Sequence, residues 1–259
     1  MVSLKSLVSA ALATLAVAAP PQALDTRDFG PAKPSDDAFY TLPGADELSK
    51  AKPGDILRHR APPKPIAVLG LDPLHLKDSH QILYKSIDSH GNDTATVLTV
   101  MIPNNADYSK VLSYQIAEDA AWINCAPSYA LQLGSNNALF GSIVSKAELA
   151  LIEAALQQGW IVISPDHEGP KGAWLARDNA AHMVLDGMRA AINSASFTKI
   201  KKDAAFAMWG YSGGALASSS AAEEQENYAP ELNIIGAAVG GLTPDITSVL
   251  YTCNKGPFS

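Results

Sequence analysis

Five residues, Gly210-Tyr211-Ser212-Gly213-Gly214, constrain this chain more than any other stretch. An apolar run, Ala205-Phe206-Ala207-Met208-Trp209, precedes them, and a run of small residues follows. A strand that passes straight into a helix through a serine makes a corner too tight for side chains two residues to either side. Gly210 and Gly214 remove those side chains. Such a corner strains the serine backbone and lifts the hydroxyl clear of the sheet. It also aims the N–H of Gly213, at a helix N-terminus, toward charge developing beside that hydroxyl. A glycine-rich turn with an ordinary surface serine would carry the same five letters. The flanking strand and helix are what distinguish a nucleophile at Ser212 from that reading.

The remaining pattern supplies the rest of a sheet. Residues 81–87 and 94–102 read as strands joined by Asp88-Ser89-His90-Gly91-Asn92, a hairpin signal. Residues 110–115 read as another short strand. Residues 145–158 have helical apolar spacing and stop at Gly159. Residues 160–164, Trp-Ile-Val-Ile-Ser, form a continuous apolar run, as a parallel strand covered on both faces should. Residues 174–195 read as a long helix, 204–209 as a buried strand, 213–224 as a small-residue helix and 234–239 as a third buried strand. Hairpin strands followed by strand–helix alternation predict an α/β fold with a mostly parallel sheet. Residues 20–64, rich in Pro, Asp and Lys, read as a pro-segment or surface wrap. The expected organisation is 1–18, 19–64 and a domain over 65–259.

The chain has 259 residues, enough for one domain with a substantial core. Its formal net charge of −7 and scattered cations, with only Lys201 and Lys202 adjacent, argue against nucleic-acid binding. Lys5, the apolar stretch from Leu7 to Ala16 and the Ala16-Val17-Ala18 cleavage pattern read as a removable secretory leader. That stretch is too short to span a bilayer, and no later run is long enough. A secreted chain makes Asn92-Asp93-Thr94 a usable glycosylation sequon at Asn92. It also places Cys125 and Cys253 in an oxidising compartment, where two cysteines often pair.

Beyond the serine corner, three further blocks share an order and spacing. They are Ser113-Tyr114-Gln115-Ile116-Ala117-Glu118-Asp119-Ala120 with Asn124-Cys125-Ala126-Pro127-Ser128-Tyr129, Ser164-Pro165-Asp166-His167-Glu168-Gly169-Pro170, and Leu185-Asp186-Gly187-Met188-Arg189-Ala190. Over residues 81–259 the chain resembles the fungal secretory lipases. The resemblance implies an α/β-hydrolase fold and an esterase acting on acylglycerols or other esters, at a lipid–water interface or in solution, with no cofactor or metal. It places the nucleophile on Ser212 and one oxyanion donor on the Gly213 backbone N–H. The second donor falls on Asp119, again through the backbone. Asp119 follows a strand, where α/β-hydrolases place that donor, although an acid at a helix start would look the same. For Cys125 the resemblance implies a partner outside this chain, and Cys253 has no counterpart; a Cys125–Cys253 bridge is the other pairing open.

The chain departs from that pattern after the serine. In α/β-hydrolases the order is Ser, then Asp or Glu, then His. No histidine follows Ser212; His59, His75, His80, His90, His167 and His182 all precede it. Asp245 is the single downstream aspartate and comes too early for the family acid. The expectation is therefore an incomplete hydrolase lacking triad Asp and His, cap and last strands. Two other readings stay open: an inert or lipid-binding remnant, and another serine hydrolase such as a peptidase or deacetylase. Asp166-His167-Glu168 reads as a structural loop after a strand, because adjacent residues diverge and a zinc site needs a separated ligand set. His182 and Asp186, four apart on a helix, are expected to hydrogen-bond to each other.

Overall fold

The computed structural model describes residues 30–68, 71–135 and 141–255, with the side chains of 141–147 excepted. The expected leader, residues 1–18, lies outside the described residues, as do residues 19–29 of the expected wrap. Seven strands form one sheet: β1 (Ile56–Arg60), β2 (Leu76–Ile87), β3 (Asp93–Pro103), β4 (Asp107–Gln115), β5 (Trp160–Pro165), β6 (Ala205–Tyr211) and β7 (Ile234–Gly240). Their order across the sheet is β1-β2-β3-β5-β4-β6-β7. The β1–β2, β2–β3 and β3–β5 pairs are antiparallel, while β5, β4, β6 and β7 run parallel. Among the described residues, four helices of eight or more residues follow strands: α1 (Gly141–Gln157), α2 (Arg177–Asn193), α3 (Gly213–Tyr228) and α4 (Ile246–Cys253).

Strand periodicity sorts the core onto two faces. On one face Val111, Ile161, Ile163, Phe206 and Met208 meet Val184, Leu185 and Met188 of α2 and Ala217 and Ala221 of α3. On the other, Leu112, Tyr114 and Val162 meet Leu149, Ile152 and Leu156 of α1. The chain moves outward from β4 to β5, then crosses back over β4 to β6. Because these strands are parallel, their carboxyl ends open at one end of the sheet, where crossovers of opposite direction leave a crevice.

Ahead of the sheet, residues 30–55 are tied down by two arginines of β1. Arg60 grips both carboxylate oxygens of Asp37, at 3.1 and 2.7 Å, and its guanidinium lies 4.0 Å over the Phe39 ring. Arg58 donates to the carbonyls of Ala38, Phe39 and Thr41. The β2–β3 turn is organised by Asp88, which accepts the backbone N–H of His90 and of Asn92, both at 2.9 Å. Asn92 is exposed there.

Three expectations need correction. The first concerns β7, whose apolar run predicts burial on both faces, although the expected lack of the last strands would leave it an open apolar edge. It is the sheet's edge among the described strands and is exposed through its centre, with Ile235 at 70%. Apolarity alone records what a strand could pack against, not what lies over it. Second, α2 begins at Arg177 rather than at 174, because Leu175 adopts a left-handed φ of 59° that a helix cannot pass through. Third, His182 does not bond to Asp186. The Asp186 carboxylate, fully buried, accepts from Ser86 Oγ at 2.8 Å, Tyr228 Oη at 2.9 Å and Arg189 Nη1 at 2.8 Å. His182 instead packs on the Tyr228 ring, 4.4 Å between centroids.

Asp186 thus joins β2, α2 and α3 through one carboxylate. Asp186→Ala should strand three donors and cost about 3 kcal/mol in urea unfolding. Asp186→Asn, which keeps an acceptor, should cost less. Equal loss in both variants would show that the hub depends on charge alone.

Candidate active site

The corner at Ser212 has the geometry its glycines demand. Ser212 sits at φ 52° and ψ −117°, a strained combination for any residue with a side chain. Its N–H donates to the Gly240 carbonyl at 2.9 Å, and its own carbonyl accepts from Leu216 at 3.1 Å, the first turn of α3. A Cβ on Gly210 would lie 2.1 Å from the Gly214 carbonyl oxygen. On Gly214 it would lie 1.9 Å from the Gln115 carbonyl oxygen. Both obstacles are backbone, so no rotamer change relieves them. The corner leaves Ser212 half-buried at the carboxyl end of β6.

Gly213 faces the segment that leaves β4. A Cβ there would lie 3.3 Å from Asp119 Oδ1 and 3.9 Å from Ala117 Cα. Asp119 is also left-handed, at φ 47°. Among the described residues, three of the four non-glycine residues with positive φ (Asp119, Leu175 and Ser212) lie around this crevice, and strain of this kind concentrates at functional sites. The segment is held from below by Glu148 of α1, which accepts Ala117 N–H at 2.8 Å and Tyr114 Oη–H at 3.0 Å. Burial pushes the Glu148 carboxyl up to about 7, although the Ala117 and Tyr114 bonds favour its ionised form. Burial likewise raises Asp119, partly offset by the Trp174 indole N–H, which faces it outside hydrogen-bonding geometry.

The loop after β5 lies against the same corner. His167, Glu168, Leu175, Gly213 and Leu216 line one narrow cleft. Asp166 is buried and turned away, accepting Ser128 N–H at 2.8 Å and Ser128 Oγ–H at 2.5 Å. Burial raises it to about 7 despite those bonds. Glu168 is raised to about 8, first by burial and then by the Asp119 charge. Buried Glu118 is raised as well, by burial and by Glu168 and Asp166. His167 is lowered to about 4 by burial, so its ring is neutral near pH 7, and its Nδ1 has no hydrogen-bond partner. Among the described residues no group of three His, Cys, Asp or Glu side chains is arranged to hold a metal ion. Cys125 is buried and Cys253 exposed, both as free thiols, so the Cys125–Cys253 bridge is not formed.

A serine on a glycine-flanked corner at the carboxyl end of a parallel strand, in a sheet of this order, makes the fold that of an α/β-hydrolase. The likeness extends to known proteins. The secretory lipase family profile matches residues 132–259. Lipase A of Arthroderma benhamiae is 52% identical over 227 residues, 87% of this chain and 48% of that protein. Lipase 5 of Candida albicans is 50% identical over 220 residues, 84% of this chain and 46% of that protein. Among solved structures, Candida antarctica lipase A in its closed state superposes with a TM-score of 0.74 at 33% identity, covering 88% of this chain and 51% of that one. The chain therefore spans about half the length of the curated relatives it matches, and over that stretch it belongs to the secretory lipase family.

The structure sets Asp119 beside Gly213, the residue after Ser212, across 94 positions of chain. The loop carrying His167 and Glu168, read from the sequence as structural, lines a cleft with Gly213. Sequence reasoning passed over Glu148, Trp174 and Ser128. Ser128 stands in one of the motif blocks without a role there, and nothing in the local pattern of Glu148 or Trp174 separates them from ordinary helix and loop residues.

Two outcomes follow. Gly210→Ala should destabilise the fold by about 3 kcal/mol or more in denaturant unfolding, because backbone must move. Gly236→Ala, where a Cβ meets nothing within 4 Å, should change stability by less than about 1 kcal/mol. The raised carboxyls favour the protonated folded state. Their stabilisation is complete below the ordinary carboxylate range and is lost as pH rises through about 7 for Glu148 and Asp166 and about 8 for Glu168. His167, lowered to about 4, acts oppositely only below its ordinary value of 6.5. Unfolding free energy measured in urea should therefore fall between pH 6.5 and 8, and Glu168→Gln should flatten that fall. A rise over this window would contradict the assignment.

Proposed function

We propose that this chain carries the nucleophile half of a secreted ester hydrolase that cleaves acylglycerols or related acyl esters through a serine acyl-enzyme. The observation that carries the reading is the strained Ser212 corner with Gly213 against Asp119. In this reading Ser212 Oγ bonds to the substrate carbonyl carbon as its proton passes to a general base. The carbonyl oxygen, now negative, accepts hydrogen bonds from the backbone N–H of Gly213 and of Asp119. The ester C–O bond then breaks, the alcohol leaves with the proton from the base, and water releases the acid in a second, equivalent step.

The general base and the acid that orients it are proposed to come from residues these 259 do not contain. No histidine follows Ser212, and His167, which shares the cleft with Gly213, has its own Nδ1 unpartnered. Without a base, Ser212 remains a neutral alcohol and a poor nucleophile. The same reading makes residues 1–18 a removable leader, the protein extracellular, and exposed Asn92 a glycan acceptor. No helix among the described residues is long and apolar enough to cross a membrane, so contact with lipid would be at an interface.

The test joins residues 1–259 to the remaining half of Lipase A of Arthroderma benhamiae and measures hydrolysis of a short-chain nitrophenyl ester. The joined protein should turn over, and Ser212→Ala should reduce the rate by about 10³-fold or more. The 259-residue chain alone should stay near the background rate. Turnover that survives Ser212→Ala would exclude the serine ester-hydrolase reading. Efficient turnover by the chain alone, lost in Ser212→Ala, would place the base within these residues.

A further inference from the structure

We propose that Gln115 is a positioning residue for the reaction proposed above, on which this inference rests: its carboxamide ties the end of β4 to α3 and so sets the spacing between the 117–119 segment and Gly213. The argument starts from a break in the pattern of β4. Val111 points into the core shared with α2 and α3, so Ser113 and Gln115, two and four residues on, point the same way. Leu112, Tyr114 and Ile116 point to the opposite face. A central parallel strand is normally apolar on both faces. Here the two positions nearest the serine corner are polar, and both are fully buried.

A buried carboxamide costs several kcal/mol unless both its ends are satisfied. Both are. Gln115 Nε2 donates to Ser113 Oγ at 2.6 Å, and Gln115 Oε1 accepts from Ser218 Oγ of α3 at 2.6 Å. Ser218 Oγ also lies 2.8 Å from the Gly214 carbonyl, the group that forbids a side chain on Gly210. The Gln115 main chain completes the enclosure, since its carbonyl is what a side chain on Gly214 would strike. In the sheet, Gln115 is the register partner of Gly210. One residue therefore touches Gly210, Gly214 and Ser218, three sides of the corner.

Two residues further along the chain, the backbone enters the 117–119 segment, fixed below by Glu148 and strained at Asp119. The amide of Gly213 belongs to α3 and that of Asp119 to the extension of β4. Their separation is set by whatever fixes α3 against the end of β4, and close packing of glycine alone permits sliding along the strand. The Ser218–Oε1 bond crosses from α3 to β4, and the Nε2–Ser113 bond, within β4, holds the carboxamide that makes it, so the position along that direction is fixed as well. An apolar side chain of similar length would fill the volume and leave the sliding unopposed.

The test uses the 259-residue chain and amide hydrogen exchange, which needs no turnover, so a failed ester assay and a failed positioning claim are read separately. Gln115→Met should raise exchange about tenfold at the Ala117 and Leu216 amides, the bonded amides of the 117–119 and 213–216 segments, with β3 and β5 unchanged and Tm within about 4 °C of the parent. Ser218→Ala, which removes the same bond from the helix side and does not touch the strand, should raise exchange in the same two segments. Gln115→Glu at pH 5, where burial keeps a carboxyl neutral with one donor and one acceptor, should restore protection to within about twofold. The proposal is overturned if both methionine and alanine variants leave the two segments as protected as the parent. It is equally overturned if exchange rises uniformly across the sheet, or if the glutamate variant is as unprotected as the methionine one.

Discussion

Everything around Ser212 depends on one close approach, that of α3 to the ends of β4 and β6. The helix starts within side-chain distance of both strands, and glycine is the residue that permits it: a Cβ would meet a carbonyl oxygen at 2.1 Å from Gly210 and at 1.9 Å from Gly214. The approach forces Ser212 into a left-handed φ and sets Gly213 beside Asp119. Strain of about 1–3 kcal/mol at such a residue persists only where the surroundings over-determine it. Here they do so through the Ser212–Gly240 and Leu216–Ser212 backbone bonds and the buried bond from Ser218 to Gln115.

Around that contact the fold places groups that a hydrophobic core would exclude. Glu118, Glu148, Asp166 and Glu168 are buried at or near the carboxyl ends of β4 and β5, and burial raises the pKa of each. Two of them do identifiable mechanical work: Glu148 holds the Ala117 amide, and Asp166 holds Ser128 by both amide and hydroxyl. Glu118 and Glu168 each keep a buried oxygen without a partner. Stability near neutral pH is therefore coupled to protons held on carboxyls at the ends of β4 and β5, while His167 contributes in the opposite sense at lower pH.

Much of this was legible beforehand, and the limits have physical causes. The hairpin, the β5 run and the β6–Ser212–α3 corner are local: strand periodicity, helix termination at Gly159 and the steric demand of a tight turn act over a few residues. α2 starts later than its apolar pattern predicts because Leu175 takes a backbone conformation that its side chain does not advertise. The His182–Asp186 pair failed because helical spacing makes neighbours but does not choose among competitors, and Ser86, Tyr228 and Arg189 reach the carboxylate instead. β7 reads as buried and is exposed because an apolar sequence carries no information about which layer covers it.

The sequence by itself determined that a serine stands on a strand-to-helix corner, since only glycine at Gly210 and Gly214 admits that turn, and the motif blocks around it pointed to the secretory lipases. Tertiary structure alone decided that Asp119 meets Gly213, that Glu148 and Gln115 hold the two segments in place, and that Asp186 rather than His182 is the hub of α2. Those contacts join residues far apart in the chain. Their partners are selected by how helices and strands stack in space, and no local propensity encodes that.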